Sequence, residues 1–302
     1  MRLCNTAATN FSILFPRGCY QSLMLMELNT LDTLRSAVAT WRGQAETVAL
    51  VPTMGALHAG HLHLVREAKK HAVRVVVSIF VNPTQFGPNE DFSRYPRPLE
   101  RDLALLREVG ADAAWLPDVA TMYPDGFATN IHVSGVSEGL CGAVRPRHFD
   151  GVATVVAKLL LQVASDVALF GEKDYQQLCV IKRLVNDLNI DTNILGVPTV
   201  READGLALSS RNQYLSESER KIAPTLHATL TQLALQLPGG DVSALIDAAK
   251  KKILAAGFAS IDYLELRAED TLAPLAHYAP PARLLVAARL GSTRLIDNIR
   301  VG

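Results

Sequence analysis

Neither sign of charge is in excess in this sequence, where 30 Lys and Arg residues balance 30 Asp and Glu residues. That balance argues against a nucleic-acid partner, which usually calls for a basic surplus or stripe. It leaves room for a local basic site facing a small anion. Cysteine is scarce. Cys4, Cys19, Cys141 and Cys179 form no C-x-x-C pair, so neither a zinc site nor a disulfide framework is indicated. They read as reduced, buried thiols of a cytoplasmic enzyme. No apolar run reaches the roughly 18 residues that span a bilayer, so no membrane partner is expected. G-x-G-x-x-G and G-x-x-x-x-G-K-[ST] are both missing, which removes the dinucleotide fingerprint and the Walker loop. Acid is missing from the first 26 residues, Glu27 being the first carboxylate. Residues 1–26 are therefore expected to be a disordered extension, or to precede a start near Met24 or Met26.

What is present is a chain of 302 residues, 49% hydrophobic and 20% charged, long enough for two domains. Apolar runs at 47–51, 73–81, 113–116, 166–170 and 193–197 read as buried strands. Helical spacing occurs at 61–71, 96–109, 152–163 and 175–188. This alternation predicts a Rossmann-like parallel sheet with helices on both faces over residues 27–199. After residue 200 the rhythm changes. Two helical patterns, 218–235 and 242–256, precede strands at 261–267 and 283–290, which predicts a smaller C-terminal α+β domain over 200–302.

Ligands of such sheets bind beyond the carboxyl ends of the strands, and the candidate motifs fall there. The first is Pro52-Thr53-Met54-Gly55-Ala56-Leu57-His58-Ala59-Gly60-His61. Its glycines allow close backbone approach, and the following helix turns free N–H groups and a positive dipole end toward an anion. His58 and His61, three apart, can donate to phosphate oxygens and, if protonated, offset their charge. A zinc site from His58, His61 and His63 lacks H-E-x-x-H; solvated surface histidines are the other plain alternative. The second motif, Asn82-Pro83-Thr84-Gln85-Phe86-Gly87, offers a Gln amide to a hydroxyl and a carboxylate together, or is simply a turn. The third, Gly171-Glu172-Lys173-Asp174-Tyr175-Gln176-Gln177, provides a tight exit, a mobile cation, an N-cap at Asp174 and an inward Gln177. The fourth runs from Pro198 to Asn212. Its Ser209, Ser210 and Arg211 can clamp a triphosphate, or belong to an ordinary linker.

The strand–H-x-G-H–helix arrangement resembles the nucleotidylyltransferase superfamily. The wider strings, PTMGALHxGH, N-P-x-Q-F, GEKDxQQ and PTVREADGLALSSRN, resemble the pantothenate synthetase family in particular, as does RLGSTRLIDNI at 289–299. The resemblance runs from about residue 28 to 299. It implies ATP-dependent condensation of pantoate with β-alanine through a pantoyl adenylate, with release of AMP and pyrophosphate. A nucleotidylyltransferase acting on another small substrate is the nearest alternative. By the resemblance, His58, His61 and Lys173 are catalytic. ATP would be bound by Met54, Gly55, Ala56, Leu57, His58, Ala59, Gly60, His61, Gly171, Glu172, Lys173, Asp174, Val200, Leu208, Ser209, Ser210 and Arg211. Pantoate would be bound by Asn82, Gln85 and Gln177. Ala59 stands where the family usually carries an acid, and Leu208 where it carries Met. Asp102 falls where the family places Mg²⁺; a solvated helix carboxylate is its other reading. A homodimer is implied by the family alone. Closure by residues 145–150 or by the second domain would protect the adenylate from water.

Overall fold

Val48, Ala49, Leu50 and Val51 are all fully buried, as expected for a parallel strand covered on both faces. The strand alternates between two cores. Val48 and Leu50 join one cluster, Ala49 and Val51 the other. Val76 alternates in the same way with Val75 and Val77, and Phe170 with Leu169. Period-two side chains of one sheet thus serve two helical layers.

The computed structural model describes residues 24–87 and 92–302. Its elements in chain order are β1 (Met26–Leu28), α1 (Leu31–Gly43), β2 (Val48–Thr53), α2 (Ala59–Ala68), β3 (Arg74–Ile79), α3 (Leu99–Val109), β4 (Ala113–Trp115), α4 (Val119–Met122), α5 (Leu140–Val144) and α6 (His148–Val163). Then follow β5 (Val167–Gly171), α7 (Tyr175–Asp187), β6 (Asn193–Val197), α8 (Glu217–Ile222), α9 (Thr225–Gln236), α10 (Val242–Ala255), β7 (Ser260–Ala268), β8 (Ala282–Leu290) and β9 (Thr293–Val301). The extension expected at 1–26 lies outside the described residues up to residue 23. Leu25 is buried and Met26 opens β1.

The first sheet has the order β1-β4-β3-β2-β5-β6 and every pair in it is parallel. α1, α6 and α7 cover one face, and α2 and α3 the other. From β2 the chain moves to β3 and β4 on one side, and later returns to β5 and β6 on the other. β2 and β5 are therefore the switch point, and their carboxyl ends open a crevice.

The second sheet is an antiparallel meander, β7-β8-β9. α9 and α10 cover one face: Leu230, Leu233 and Ile253 pack with Leu264, Val286 and Leu295. The other face meets the first core through Tyr263, Leu285 and Ala287. The single helix expected over 218–235 is two, because Pro224 stands between α8 and α9 and lacks the N–H that a continuous helix needs.

Candidate active site

Between β2 and α2 the backbone turns sharply. Gly55 and Ala56 both take left-handed φ angles, 77° and 50°. The turn is held from α3. Asp102, 1% exposed, accepts the N–H of Ala56 and that of Leu57, each at 2.8 Å. A Cβ on Gly55 would lie only 3.0 Å from that carboxylate. Burial pushes the Asp102 pKa up, and the Leu57 and Ala56 bonds offset part of the shift. Asp102 is thus not the solvated helix carboxylate that the sequence allowed. Each of its oxygens accepts a backbone N–H, and among the described residues no three His, Cys, Asp or Glu side chains gather to hold a metal, so a magnesium ion here would take most of its ligands from phosphate and water.

His58 is the N-cap of α2. Its Nδ1 accepts from the N–H of Gly60 at 3.1 Å, and Nδ1 of His61 lies 3.4 Å from the N–H of His58. This is a capping box built from two imidazoles. Gly60 is required: a Cβ there would sit 2.9 Å from the His58 ring. A neutral ring that accepts at Nδ1 carries its proton on Nε2. The cap therefore fixes the tautomer, leaving each Nε2–H as the available donor. The rings lie 4.1 Å apart. Burial, then the positive charge of Lys173, lowers the His58 pKa to about 4; burial, His58 and Lys173 lower that of His61 to about 3. At neutral pH both rings are therefore uncharged in this structure.

Across the crevice, β5 ends at Gly171 and a 3-10 turn, Glu172–Asp174, leads into α7. Lys173 Nζ stands 3.6 Å from Asp174 Oδ2. The Asp174 side chain is 48% exposed; desolvation in the crevice works against its ionisation, but Lys173, Arg211, His148 and Arg145 outweigh it and hold the pKa below the usual range. Several basic groups from distant stretches thus face one carboxylate. Asp174 occupies the N-cap position of α7 but makes no capping bond, so the capping role expected of it is replaced by this ionic one.

A cavity of about 230 Å³ opens where these elements meet. Met54, His58, Gly60, His61, Gln85, Gly171, Lys173, Asp174, Gln177, Val200, Leu208, Ser209, Ser210 and Arg211 line it. Gly55, Ala56, Leu57, Ala59, Asn82 and Glu172 do not. The N–H groups of Ala56 and Leu57 are committed to Asp102. Glu172 turns toward Arg283, 3.4 Å away. Asn82 is buried and works through its neighbour: its Nδ2 donates to Gln85 Oε1 at 2.9 Å and to the Gly151 carbonyl at 3.1 Å, while Tyr123 Oη donates to its Oδ1 at 2.8 Å. With Gln85 Oε1 so engaged, the Gln85 NH₂ is the end left for a ligand. A larger cavity of about 430 Å³ adjoins, shares Lys173, Gln177 and Arg211, and reaches β8 and β9.

Of residues 145–150, expected with the second domain as one of two alternatives for closing over the site, Arg145 and His148 pack on the Gln85 turn. His148 Nδ1 bonds the Gln85 carbonyl at 2.8 Å, and Arg145 donates to the same oxygen at 3.3 Å. A Cβ on Gly151 would lie 2.4 Å from the Thr84 carbonyl, so α6 packs directly on the Gln85 turn. Arg145 and His148 line both cavities. Two basic side chains just ahead of an apolar helix were the available signal. Tyr95, buried, reaches Ser210 Oγ at 3.3 Å. Gln176, beside Gln177, ties down the loop before α5 through the N–H of Cys141 and the carbonyls of Val136, Glu138 and Gly139. Cys141 and Cys179 are free and buried; Cys4 and Cys19 lie outside the described residues.

Residues 27–300 match the family model described as pantoate-beta-alanine ligase. A pantothenate synthetase of Paramagnetospirillum magneticum is 58% identical over 275 residues, covering 91% of this chain and 97% of the relative. The crystal structure of the Thermus thermophilus pantothenate synthetase superposes with a TM-score of 0.87 at 49% identity, over 92% of this chain and 99% of that one. The Francisella tularensis pantoate-beta-alanine ligase, solved with beta-gamma ATP and beta-alanine, superposes at 0.79 with 35% identity, over 92% and 98%.

Proposed function

The chain belongs to the pantoate–β-alanine ligase family, and we propose that the crevice between β2 and β5 is where it carries out the ligation in two steps. The activity is the joining of pantoate to β-alanine, which yields pantothenate. In the first step a pantoate carboxylate oxygen attacks the α-phosphorus of ATP, and pyrophosphate leaves. In the second, the β-alanine amine attacks the acyl carbon, loses a proton and displaces AMP. A free carboxylate is a poor acyl donor, so the first step needs orientation and neutralisation of phosphate charge more than a protein nucleophile.

The observation that carries this reading is the convergence of His58, His61, Lys173 and Arg211 on one cavity that also holds Gln85 and Gln177. His58 and His61 donate from Nε2 to phosphate oxygens. Lys173, Ser209, Ser210 and Arg211 hold the triphosphate, with Val200 and Leu208 beside the nucleoside. Gln85, oriented by Asn82, and Gln177 hold pantoate. Magnesium would arrive with ATP and neutralise charge on its phosphates, since among the described residues no three His, Cys, Asp or Glu side chains gather to hold it. The segment at 199–200 divides a nucleotide-binding unit from a smaller C-terminal one. The enzyme works as a homodimer in the cytoplasm. Among the described residues no helix is long and apolar enough to cross a membrane.

Two assays test the two steps. Pantoate-dependent exchange of labelled pyrophosphate into ATP reports the adenylate, and AMP release that requires β-alanine reports its consumption. His61→Ala should slow the exchange by about 10²–10⁴-fold. Near-parental exchange in that variant removes the histidine from the mechanism. AMP release indifferent to the amine removes the second step.

A further inference from the structure

β9 carries two consecutive polar residues, Asp297 and Asn298, each only 4% exposed. Neighbours on a strand point to opposite faces, and here both faces are covered. Leu295 and Val301 pack with the α9–α10 layer, whereas Ile296 packs on the core of the first sheet. Asp297 therefore faces the helices, and Asn298 faces the six-stranded sheet. Each grips a different arm of the crevice.

Asn298 Nδ2 donates to the carbonyls of Glu172, at 2.8 Å, and Lys173, at 3.0 Å. Its Oδ1 accepts from Arg283 Nη1 at 2.6 Å, which sets the orientation of the amide. Arg283 is itself buried, bonded to Glu269 at 2.9 Å and stacked 3.6 Å from the Tyr175 ring. Asp297 receives two N–H groups of Arg201, at 2.7 and 2.8 Å, and the N–H of Asn298 at 2.7 Å. Arg201 stands at the base of a hairpin. It bridges to Ala207, and the N–H of Leu208 bonds the Val200 carbonyl at 3.0 Å. Ser209, Ser210 and Arg211 follow at once. The stretch from Pro198 to Asn212 is therefore fastened near its start by a part-buried, bidentate ion pair.

We propose that Asp297 and Asn298 are positioning residues for the ligation, fixing the separation of Lys173 from the Ser209–Arg211 clamp across the triphosphate. This rests on the reading of those groups as the nucleotide site. Neither residue has to touch ATP. One residue sets the backbone under Lys173, the next sets the root of the clamp, and one peptide unit joins them. Gln85, by contrast, is held by Asn82, and Gln177 is carried on α7 itself, so pantoate's share of the site depends less on β9. A positional error of about 1 Å between groups that flank a reacting centre costs about 10²-fold in rate, so the effect should fall on adenylation and on ATP.

Asn298→Asp keeps the size and the acceptor toward Arg283 but turns an oxygen toward two carbonyls. Arg201→Lys keeps the charge and loses the fork. Each variant is assayed by pyrophosphate exchange with separate ATP and pantoate titrations, beside its thermal unfolding. The expected result is an exchange rate lowered by about 10–10²-fold and a raised KM for ATP, with KM for pantoate within about twofold of the parent. If the surviving folded protein has the parental KM for ATP and parental turnover, the pair is a structural staple and the proposal falls. Should Asn298→Asp fail to fold, Arg201→Lys decides by the same criterion. Lys173→Ala separates the two layers. Normal exchange there removes the nucleotide-site reading itself, whereas lost exchange there with normal exchange in both other variants removes only the positioning role.

Discussion

At the scale of single residues, the histidines behave differently from surface imidazoles. In the fold, His58 titrates at about 4 and His61 at about 3, while in the unfolded chain both take up protons below about 6.5. Between those limits the unfolded state binds more protons. Stability therefore falls as pH drops from about 6.5 toward 4, and is fully present above that window. Urea unfolding at pH 7.5 and pH 5 should show a larger acid loss for the parent than for a His58→Gln/His61→Gln double variant. An equal loss in both would mean that other groups dominate. The sequence made the position and spacing of these histidines legible through H-x-G-H ahead of a helix. It did not reveal that their Nδ1 atoms cap that helix, because capping by His is far less common than by Ser, Thr, Asp or Asn. Asn82 was legible as a site residue, but nothing in N-P-x-Q shows that its amide bonds Gln85.

At the scale of elements, the turn after β2 depends on α3. Ala56 and Leu57 are 46 and 45 residues from Asp102, so no local pattern links them. Asp102→Ala leaves two N–H groups of that turn without an acceptor, and should cost roughly 2–4 kcal/mol. It should also loosen the entry to α2, which carries His61. Denaturant unfolding gives the first effect. A shift below about 0.5 kcal/mol, within the range of ordinary surface substitutions, would show that solvent replaces the carboxylate. Most long elements were readable from apolar periodicity: β2, β3, β5, β6, α3, α7 and α10 fall within a few residues of expectation. β1 and β9 were not. β1 has only three residues and Glu27 interrupts them, whereas the equally short β4 is apolar throughout. β9 has buried Asp297 and Asn298 in its middle, which breaks the apolar pattern where two structural arms are held. Such failures of local rules concentrate at functional places.

At the scale of the molecule, the arrangement follows from two facts that sequence rhythm carried: strands alternating with helices first, then a different order after residue 200. The packing of the second sheet onto the first core through Tyr263, Leu285 and Ala287 could not be read, since β8 is apolar on both faces and periodicity does not say what covers each. The zero formal charge of the chain also conceals its distribution. Lys173, Arg145 and Arg211 gather around Asp174 in a concave site, where field lines are focused. Such a basin does not discriminate sharply among multivalent oxyanions. Sulfate or phosphate in a buffer should therefore compete with ATP, raising its KM more than chloride does at matched ionic strength, since screening alone treats the salts alike. Identical KM values in the two salts would contradict this. The same attraction applies to the pyrophosphate left behind after each turnover, so a pyrophosphatase added to the assay should quicken the steady state.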